Sequence, residues 1–438
     1  MADAAAAEAR AGAARALNLR SIFADVRAGS IVFLVALPLC LGIAAGSGAP
    51  PLSGLIAGIV GGTVVALLSG SPLSVAGPAA GLTVVVFDGI EALGFRSFLL
   101  AVTLSGLLQI ALAAIGAGRL AQLVPNAVIR GMLAAIGLIL ALKQLPHAVG
   151  YDADPEGDFA FRQADGHNTF SELLYSLRAF DLGPLIVSAA AALGLWLWRD
   201  YPRAPLQRYV PRELAAVCAG LAGAAFLEGT TFALAPEHRV SIPLLGEEGL
   251  GALWTAPSVA GLGQLAVWKT ALTLAIVASI ESLLCVEATD RLDPQRRTSP
   301  MNRELWAQGV GNATAGALGG LPVTAVVVRS FSNVQAGGRT RLAALTHGAL
   351  LLLATLLFAP LINDIPLAAL AVVLLRVGYK LTPPSLYREL WRMGRAQFLP
   401  FVSTVLAILL TDLLTGTLLG LGFAIFFFVW AHYRSAIV

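Results

Sequence analysis

Charge is scarce in this chain. Of 438 residues only 13% are Asp, Glu, Lys or Arg, and together they leave a formal net charge of +3 at pH 7. So mild a balance offers no footprint for nucleic acid, and the basic residues are gathered in short loops instead of forming a stripe. Cysteine is nearly absent. Cys40, Cys218 and Cys285 each sit in an apolar segment with no CxxC and no Cys/His spacing, which excludes a disulfide framework and a cysteine-based metal site. No HExxH, paired-aspartate or Ser/Lys arrangement stands out, so nothing supports an intramembrane enzyme. The first twenty or so residues are Ala-rich and contain Arg, but they lack an apolar centre and a cleavage site; they read as a tail, not a signal peptide.

Apolar residues are what the chain has. They make up 57% of it, with a mean hydropathy of +0.78, and they fall into long runs that mark an integral membrane protein. Runs of spanning length, roughly 17–25 residues, centre near 28–46, 52–69, 97–116, 123–143, 182–199, 212–228, 264–288, 303–319, 341–359, 364–378, 398–414 and 416–432. Two more, near 72–92 and 321–338, are broken by Gly and Pro. Counting the broken pair as crossings gives about fourteen segments, and the loop charges then alternate. One side collects Arg10, Arg15, Arg20 and Arg27, then Arg119 and Arg130, then Arg199, Arg203, Arg208 and Arg212. The same side later holds Arg296, Arg297 and Arg303, Arg339 and Arg341, the basic run from Arg376 to Arg395, and Arg434. The opposite loops are acidic, in "YDADPEGDF" at 151–159 and at Glu237, Glu247 and Glu248. Both termini are therefore expected in the cytoplasm.

The breaks carry the chemistry. Non-helical backbone at membrane depth is tolerated only where it packs in protein or lines a cavity. In "LSVAGPAAGLTVVV", 73–86, a half-helix starting at Pro78 would aim the N–H groups of Ala79, Ala80 and Gly81 at the membrane centre, where a helix N-terminus attracts an anion. In "GGLPVTAVVVRSFSNVQAGGRT", 319–340, a short β-branched run precedes a polar half-helix beginning near Val327. The topology makes the two N-termini face each other. Paired interruptions in two halves, about 20–212 and 213–438, are the mark of an inverted-repeat secondary transporter.

The wording then becomes specific. "FLVALPLCLGIAAGSGAPPLSGLIAGIVGG", "LSGSPLSVAGPAAGLTVVV", "KQLP", "IVASIESLLCVEATD", "NRELWAQGVGNATAGALGGLPVTAVVVRS" and "NVQAGGRT", in that order, resemble the SulP inorganic-anion transporters, the family that includes prestin. The likeness runs from about 25 to 430 and is nearest to SulP-type bicarbonate transporters and to SulP proteins fused to a carbonic anhydrase. It implies an all-α polytopic fold of fourteen segments in a seven-plus-seven inverted repeat, with short strands before the half-helices. It further implies a tail at 1–24, repeats at 25–212 and 213–438, a core domain of segments 1–4 and 8–11, and a gate domain of segments 5–7 and 12–14. A homodimer in a bacterial inner membrane follows by the same likeness, as does membrane-domain coverage alone: most members continue into a STAS domain or a fused enzyme, whereas this chain stops at Val438.

By the same resemblance, Arg329 matches the arginine beside the family's anion site, with Leu37, Val327 and Val328 nearby. Where sodium-coupled members carry Asp and Thr on the eighth segment, this chain has Glu281 and Cys285; where they carry Gly, Ala and Thr near the second half-helix, it has Ala325, Val326 and Val327. Thiol and valine are poor ligands for a hard cation. The residues themselves say the rest. Glu281 lies in mid-segment, where a carboxylate costs roughly 2.5–3.5 kcal/mol and marks function; it is a candidate proton carrier, a counter-ion of Arg329 in the empty site, or a ligand for sodium. Ser74, Thr83 and Thr324 offer hydroxyls to an oxyanion or to a neighbouring carbonyl. Glu287, Asp290 and Arg291 read as a solvated helix end, Asp88 and Glu91 as outer helix-end charges, Lys143 and Gln144 as interfacial. His147 and His347 read as lone structural histidines, and Gly54, Gly58, Gly61 and Gly62 as a close-packing face. The expected function is secondary transport of a small inorganic anion, bicarbonate first, with proton or sodium coupling and no cofactor. Sulfate or dicarboxylate transport, anion exchange and an uncoupled channel are the alternatives.

Overall fold

A computed structural model describes residues 19–119, 125–152, 168–176, 178, 180–200, 211–241 and 254–435. Arg10, Arg15, Arg203, Arg208, Glu247, Glu248 and most of the acidic stretch 151–159 lie outside the described residues, as does the tail up to residue 18.

The chain is mostly helical. From the N-terminus run α1 (Leu19–Gly46), α2 (Pro51–Val60), β1 (Ala76–Pro78), α3 (Thr83–Leu93), α4 (Phe95–Ala114), α5 (Asn126–Ala148), α6 (Thr169–Ser176), α7 (Leu182–Asp200) and α8 (Arg212–Leu227). There follow α9 (Leu265–Leu292), α10 (Met301–Leu318), β2 (Val323–Ala325), α11 (Val327–Ala336), α12 (Leu342–Leu356) and α13 (Ala359–Asn363). The chain closes with α14 (Leu367–Leu381), α15 (Pro384–Arg392), α16 (Arg395–Leu410) and α17 (Leu413–Ser435). Among the described residues six helical stretches are long and apolar enough to cross a membrane, by length and composition, and four shorter apolar helices accompany them. Without the short α6, α13 and α15, the order reads as seven elements twice over. A strand with its half-helix stands third each time.

Helix packing follows small residues, as it must where lipid is as apolar as leucine. α4 lies against α9 and α10, α1 against α11 and α12, α5 against α14 and α16, and α7 against α8. Gly106 on α4 and Gly309 on α10 bring two backbones so close that a Cβ on either would strike the other's carbonyl. In the π-helical turn that continues α2, Gly61–Val65, Gly62 meets the backbone of Gly348 and Gly61 sits against Ala76, so this turn seats β1 and α12.

The strands pair antiparallel, Ala76 with Ala325, Gly77 with Thr324 and Pro78 with Val323. All six residues are buried. Side chains deep in the bundle hold this two-stranded sheet. Asn312 accepts the Val323 N–H at 2.6 Å and donates to the Val323 carbonyl at 2.9 Å and to Gln109 at 2.7 Å, while Gln109 donates to Ser279 at 3.2 Å. Ser282 accepts from the Ala325 N–H at 3.3 Å, Ser330 from the Val75 N–H at 2.9 Å, and Asn333 donates to the Leu73 carbonyl at 2.9 Å. Upstream, the Glu304 carboxylate takes the Ser69 hydroxyl at 2.9 Å, the Ser71 N–H at 2.7 Å and the Gly70 N–H. At the far end Asp25 takes the N–H groups of Arg339 and Thr340, at 2.6 and 3.0 Å.

Replacing Asn312 with Leu keeps the number of side-chain heavy atoms but orphans both peptide groups of Val323, at about 1–3 kcal/mol each. The expected result is a melting temperature several degrees lower in detergent and a parallel loss of ligand-induced stabilisation. Unchanged melting would mean that β2 does not depend on this side chain.

Candidate functional site

Both breaks end at one place. β1 leads into Ala79, which is extended at φ −92° and ψ 111°, and then into a single 3₁₀ turn, Ala80–Leu82, before α3. The half-helix therefore starts at Ala80 and not at Pro78. Pro78 is held in the strand by its pairing with Val323, and Ala79 follows it in extended form, its carbonyl accepting the Leu82 N–H at 3.2 Å. On the other side Val326 is extended, its N–H bonded to the Val75 carbonyl at 2.9 Å, and α11 begins at Val327 as expected. The first turn of each half-helix leaves N–H groups without an intrahelical acceptor, and each carries the positive end of its dipole.

A cavity of about 30 Å³ lies between these two ends. Ala80 and Gly81 line it from one half-helix, and Ala325, Val326, Val327 and Val328 from the other. Glu281 and Leu284 on α9 close one side; Met132 and Ile136 on α5, with Leu413 and Thr417 on α17, close the rest. By volume it has room for about two water-sized groups. The Gly81 N–H is directed at the Glu281 carboxylate, whose Oε1 lies 3.0 Å from where a Cβ on Gly81 would stand. Oε2 has no hydrogen-bond partner among the described residues.

Arg329 stands behind the sheet. It is fully buried, so it is no snorkelling side chain, and its guanidinium lies over Gly77, leaving no room there for a Cβ. Nη2 donates to the Cys40 thiol at 3.2 Å, whereas Nε and Nη1 have no partner among the described residues. The expected Glu281–Arg329 pair is not formed. Glu281 is held at the start of the first half-helix, and Arg329 extends the other way, toward α1 and α2. His347 is close enough to feel the Arg329 charge and is buried with both ring nitrogens unbonded among the described residues.

Ala79, Leu37 and Cys285 are buried but do not line the cavity; the Cys285 thiol sits 4.0 Å from the Ser330 hydroxyl. Thr83 bonds the Ala80 carbonyl at 2.8 Å, tying the 3₁₀ turn, and the Thr324 hydroxyl is buried without a partner among the described residues. Asp88 and Glu91 are exposed, as expected. Lys143 and Gln144 lie in the last turns of α5, which runs past them to Ala148, and both are packed inside the protein. His147 is not alone, since Asp152, five residues on, bonds it at 2.6 Å and His238 at 2.6 Å. Asn312, Gln109, Ser282, Ser330, Glu304 and Asp25, which hold the breaks in place, went unrecognised in the sequence. Asn312 and Glu304 did carry a signal, being polar or charged residues within a spanning run.

A wider cleft of about 630 Å³ opens between α9 and α11 on one wall and α5, α14 and α15 on the other. Arg130, Arg291, Arg296, Arg297 and Lys380 line it, against Glu287, Asp290 and Glu389. Arg291 pairs with Glu287 at 2.7 Å, as a solvated helix end would. Just beyond α9, burial works against the charge on Asp293, but bonds from Arg297 and from the Gln295 and Arg297 N–H groups outweigh it and hold the carboxyl below the usual carboxylate range. Arg297 also donates to the Arg339 carbonyl at 2.8 Å, joining this loop to the one after α11.

Comparison with known proteins places this geometry. The sequence pattern of the sulfate permease family matches residues 22–404. A putative sulfate transporter, YvdB of Bacillus subtilis (strain 168), is 26% identical over 427 residues, 95% of this chain and 76% of the relative. The bicarbonate transporter BicA of Picosynechococcus sp. (strain ATCC 27264 / PCC 7002 / PR-6) is 26% identical over 416 residues, 92% of this chain and 69% of that one. Among solved structures, the transmembrane domain of a cyanobacterial bicarbonate transporter BicA superposes with a TM-score of 0.65 at 24% identity, covering 91% of this chain and 98% of that one. SLC26A9 superposes at 0.66 with 16% identity, over 94% and 66%. These likenesses establish the fold.

A carboxylate placed at Ala80 would fill the cavity and put a second negative charge beside Glu281. Ala80→Glu should abolish anion-induced thermal stabilisation while leaving the melting temperature of the empty protein within a few degrees, and Ala80→Ser should bind nearly as wild type. Normal affinity in Ala80→Glu would place the anion elsewhere.

Proposed function

The chain belongs to the sulfate permease family of membrane anion transporters, and on that premise we propose that it is a secondary transporter of a small inorganic anion, bicarbonate first, working by alternating access. The convergence of two half-helix N-termini on one small cavity is the observation that carries this reading. Backbone N–H groups and two positive dipole ends favour a compact anion, and the buried Arg329 guanidinium adds a fixed positive charge behind them. The small size of the cavity favours a compact anion over a dicarboxylate. Relatives named for bicarbonate and for sulfate stand at equal identity, so sulfate is the competing substrate.

The proposed moving parts are those of the family expectation, and the helix packing is compatible with them. Segments 1–4 and 8–11 form a core, with α1 on α11 and α12 and α4 on α9 and α10; segments 5–7 and 12–14 form a gate, with α5 on α14 and α16. The cavity lies on the seam, and the wide basic cleft opens along the same seam. Its arginines sit on the side that loop charge assigns to the cytoplasm, which fits an inward-open state, both termini in the cytoplasm of a bacterial inner membrane, and repeats of about 25–212 and 213–438. Oligomeric state follows the family expectation of a homodimer.

Glu281 couples the transport to protons. Ionised, its carboxylate takes the Gly81 N–H at the half-helix N-terminus, the donor an incoming anion needs. Protonation removes the competing charge, so a proton and an anion are taken up together and the core crosses with its charge balanced. Sodium would need hard oxygen ligands, and Cys285, Val326 and Val327 offer no side-chain oxygen.

The test is transport and binding by wild type and Glu281→Gln in proteoliposomes, with bicarbonate, sulfate and fumarate as substrates and with proton or sodium gradients imposed. Glutamine mimics the protonated acid. The variant should bind and exchange anion but lose acceleration by the proton gradient, whereas wild-type affinity for sulfate should fall by up to about tenfold per pH unit on the alkaline side. Uptake that follows sodium and ignores the proton gradient would sink the coupling scheme, and failure to move any inorganic anion would sink the function.

A further inference from the structure

α15 joins two apolar helices, α14 and α16, with one side set in the protein. Leu390 is buried as its anchor. The Tyr387 ring stands edge-on to Phe401 at 5.2 Å and its hydroxyl bonds Thr382 at 2.8 Å, while Trp391 stands edge-on to Phe398 at 4.9 Å. Ser385, Leu386 and Glu389 form part of the wall of the basic cleft.

The outer side is built differently. Arg388 and Arg392, one helical turn apart and both exposed, border an open concavity of about 570 Å³ with Ser385, Glu389 and Met393, and Arg395 follows at the start of α16. Among the described residues none of these three arginines has an ion-pair partner; the adjacent carboxylate, Glu389, is taken by Arg130 at 2.8 Å. Like charges one turn apart repel each other, so the pair favours an anion between them, and guanidinium forks match phosphate geometry. The aromatic and apolar surface around them says where that phosphate comes from. Trp391 is 68% exposed and Met393 52%, both directly beside Arg392, and Tyr379 on α14 is 64% exposed. Exposed aromatic rings next to the ends of spanning helices sit at headgroup level. A basic cluster in that position reads as a site for acidic lipid. A free phosphate would use the arginines and have no need of the rings.

We propose that the Arg388–Arg392 concavity binds the phosphate of an anionic phospholipid in the leaflet facing the basic cleft, and through α15 holds the wall of that cleft in place. This rests on the membrane orientation proposed above, not on the substrate or on Glu281.

The full chain is reconstituted in phosphatidylcholine vesicles with about one part in four phosphatidylglycerol, the bromine-labelled acyl chains being carried by one lipid or by the other. Tryptophan quenching in wild type minus that in Trp391→Phe isolates one ring of the seven. Brominated phosphatidylglycerol should quench Trp391 about fivefold more than the same amount of brominated phosphatidylcholine. The double variant Arg388→Gln, Arg392→Gln, whose changes are on the surface and should leave melting unaltered, should keep Trp391 in contact with lipid but lose the preference. Inorganic phosphate added to the buffer should leave the preference intact. Equal quenching by the two lipids in wild type, a preference that survives in the double variant, or no quenching of Trp391 at all would each overturn the proposal; a preference abolished by phosphate would mean a site for the free ion.

Discussion

A peptide group that leaves a helix at membrane depth has no water to bond, and the bilayer offers nothing in its place. Two stretches of this chain do so, and each supplies what the other lacks: β1 and β2 pair through Ala76, Gly77 and Pro78 against Ala325, Thr324 and Val323. Pro78 fits because a two-stranded sheet has only edges, where a missing N–H does no harm. Once the strands are paired, the half-helices that follow must start from neighbouring points, and their unbonded first turns open onto one cavity. The polar side chains that reach the sheet, Asn312, Ser282, Ser330 and Asn333, are the remainder of the same requirement. Each satisfies backbone that the strands alone leave over.

Charge inside the bundle follows a related rule. A buried guanidinium is tolerated when its donors are occupied, yet here a thiol takes Nη2 of Arg329, and Nε and Nη1 are unmatched among the described residues. Glu281 does not answer that charge, because its carboxylate is turned to the Gly81 N–H. Positive potential behind the sheet and a carboxylate in front of it leave a place for a mobile anion between two helix ends. In the proposed mechanism that imbalance is what makes the site depend on its substrate and on a proton.

The seam that holds the cavity also explains which surfaces are free to act. On its basic side the cleft separates α9 and α11 from α5, α14 and α15. Asp25 and Asp293, with Arg297, fasten the loops around α11 to the elements that hold it, so the half-helix and its neighbours are tied as one body. α15 is tied to the other side by Tyr387, Trp391 and Leu390.

The sequence by itself determined the medium, the crossing pattern and the two breaks. Apolar runs, alternating loop charge and Gly/Pro interruptions are local signals, and each reflects a cost that no distant contact can remove. Glu281, Ala80, Gly81 and Val327 were legible for that reason, since a charge or a helix start at membrane depth is conspicuous wherever it packs; the place of Arg329 came from the family resemblance. Tertiary structure alone decided what those residues meet. The start of the first half-helix at Ala80 depends on the register of Pro78 with Val323, and the direction of Arg329 depends on Gly77, Gly58 and Cys40 lying beneath it. Lys143 and Gln144 are buried because α5 runs on past them to Ala148, and Asp152, brought to His147 by a local turn, gains His238 from a segment far along the chain. Met132, Ile136, Leu413 and Thr417 carry no mark of a site, since ordinary core residues line the cavity only through the way α5 and α17 pack beside α9. Pairings between segments far apart in the chain leave no trace in the local pattern of either one.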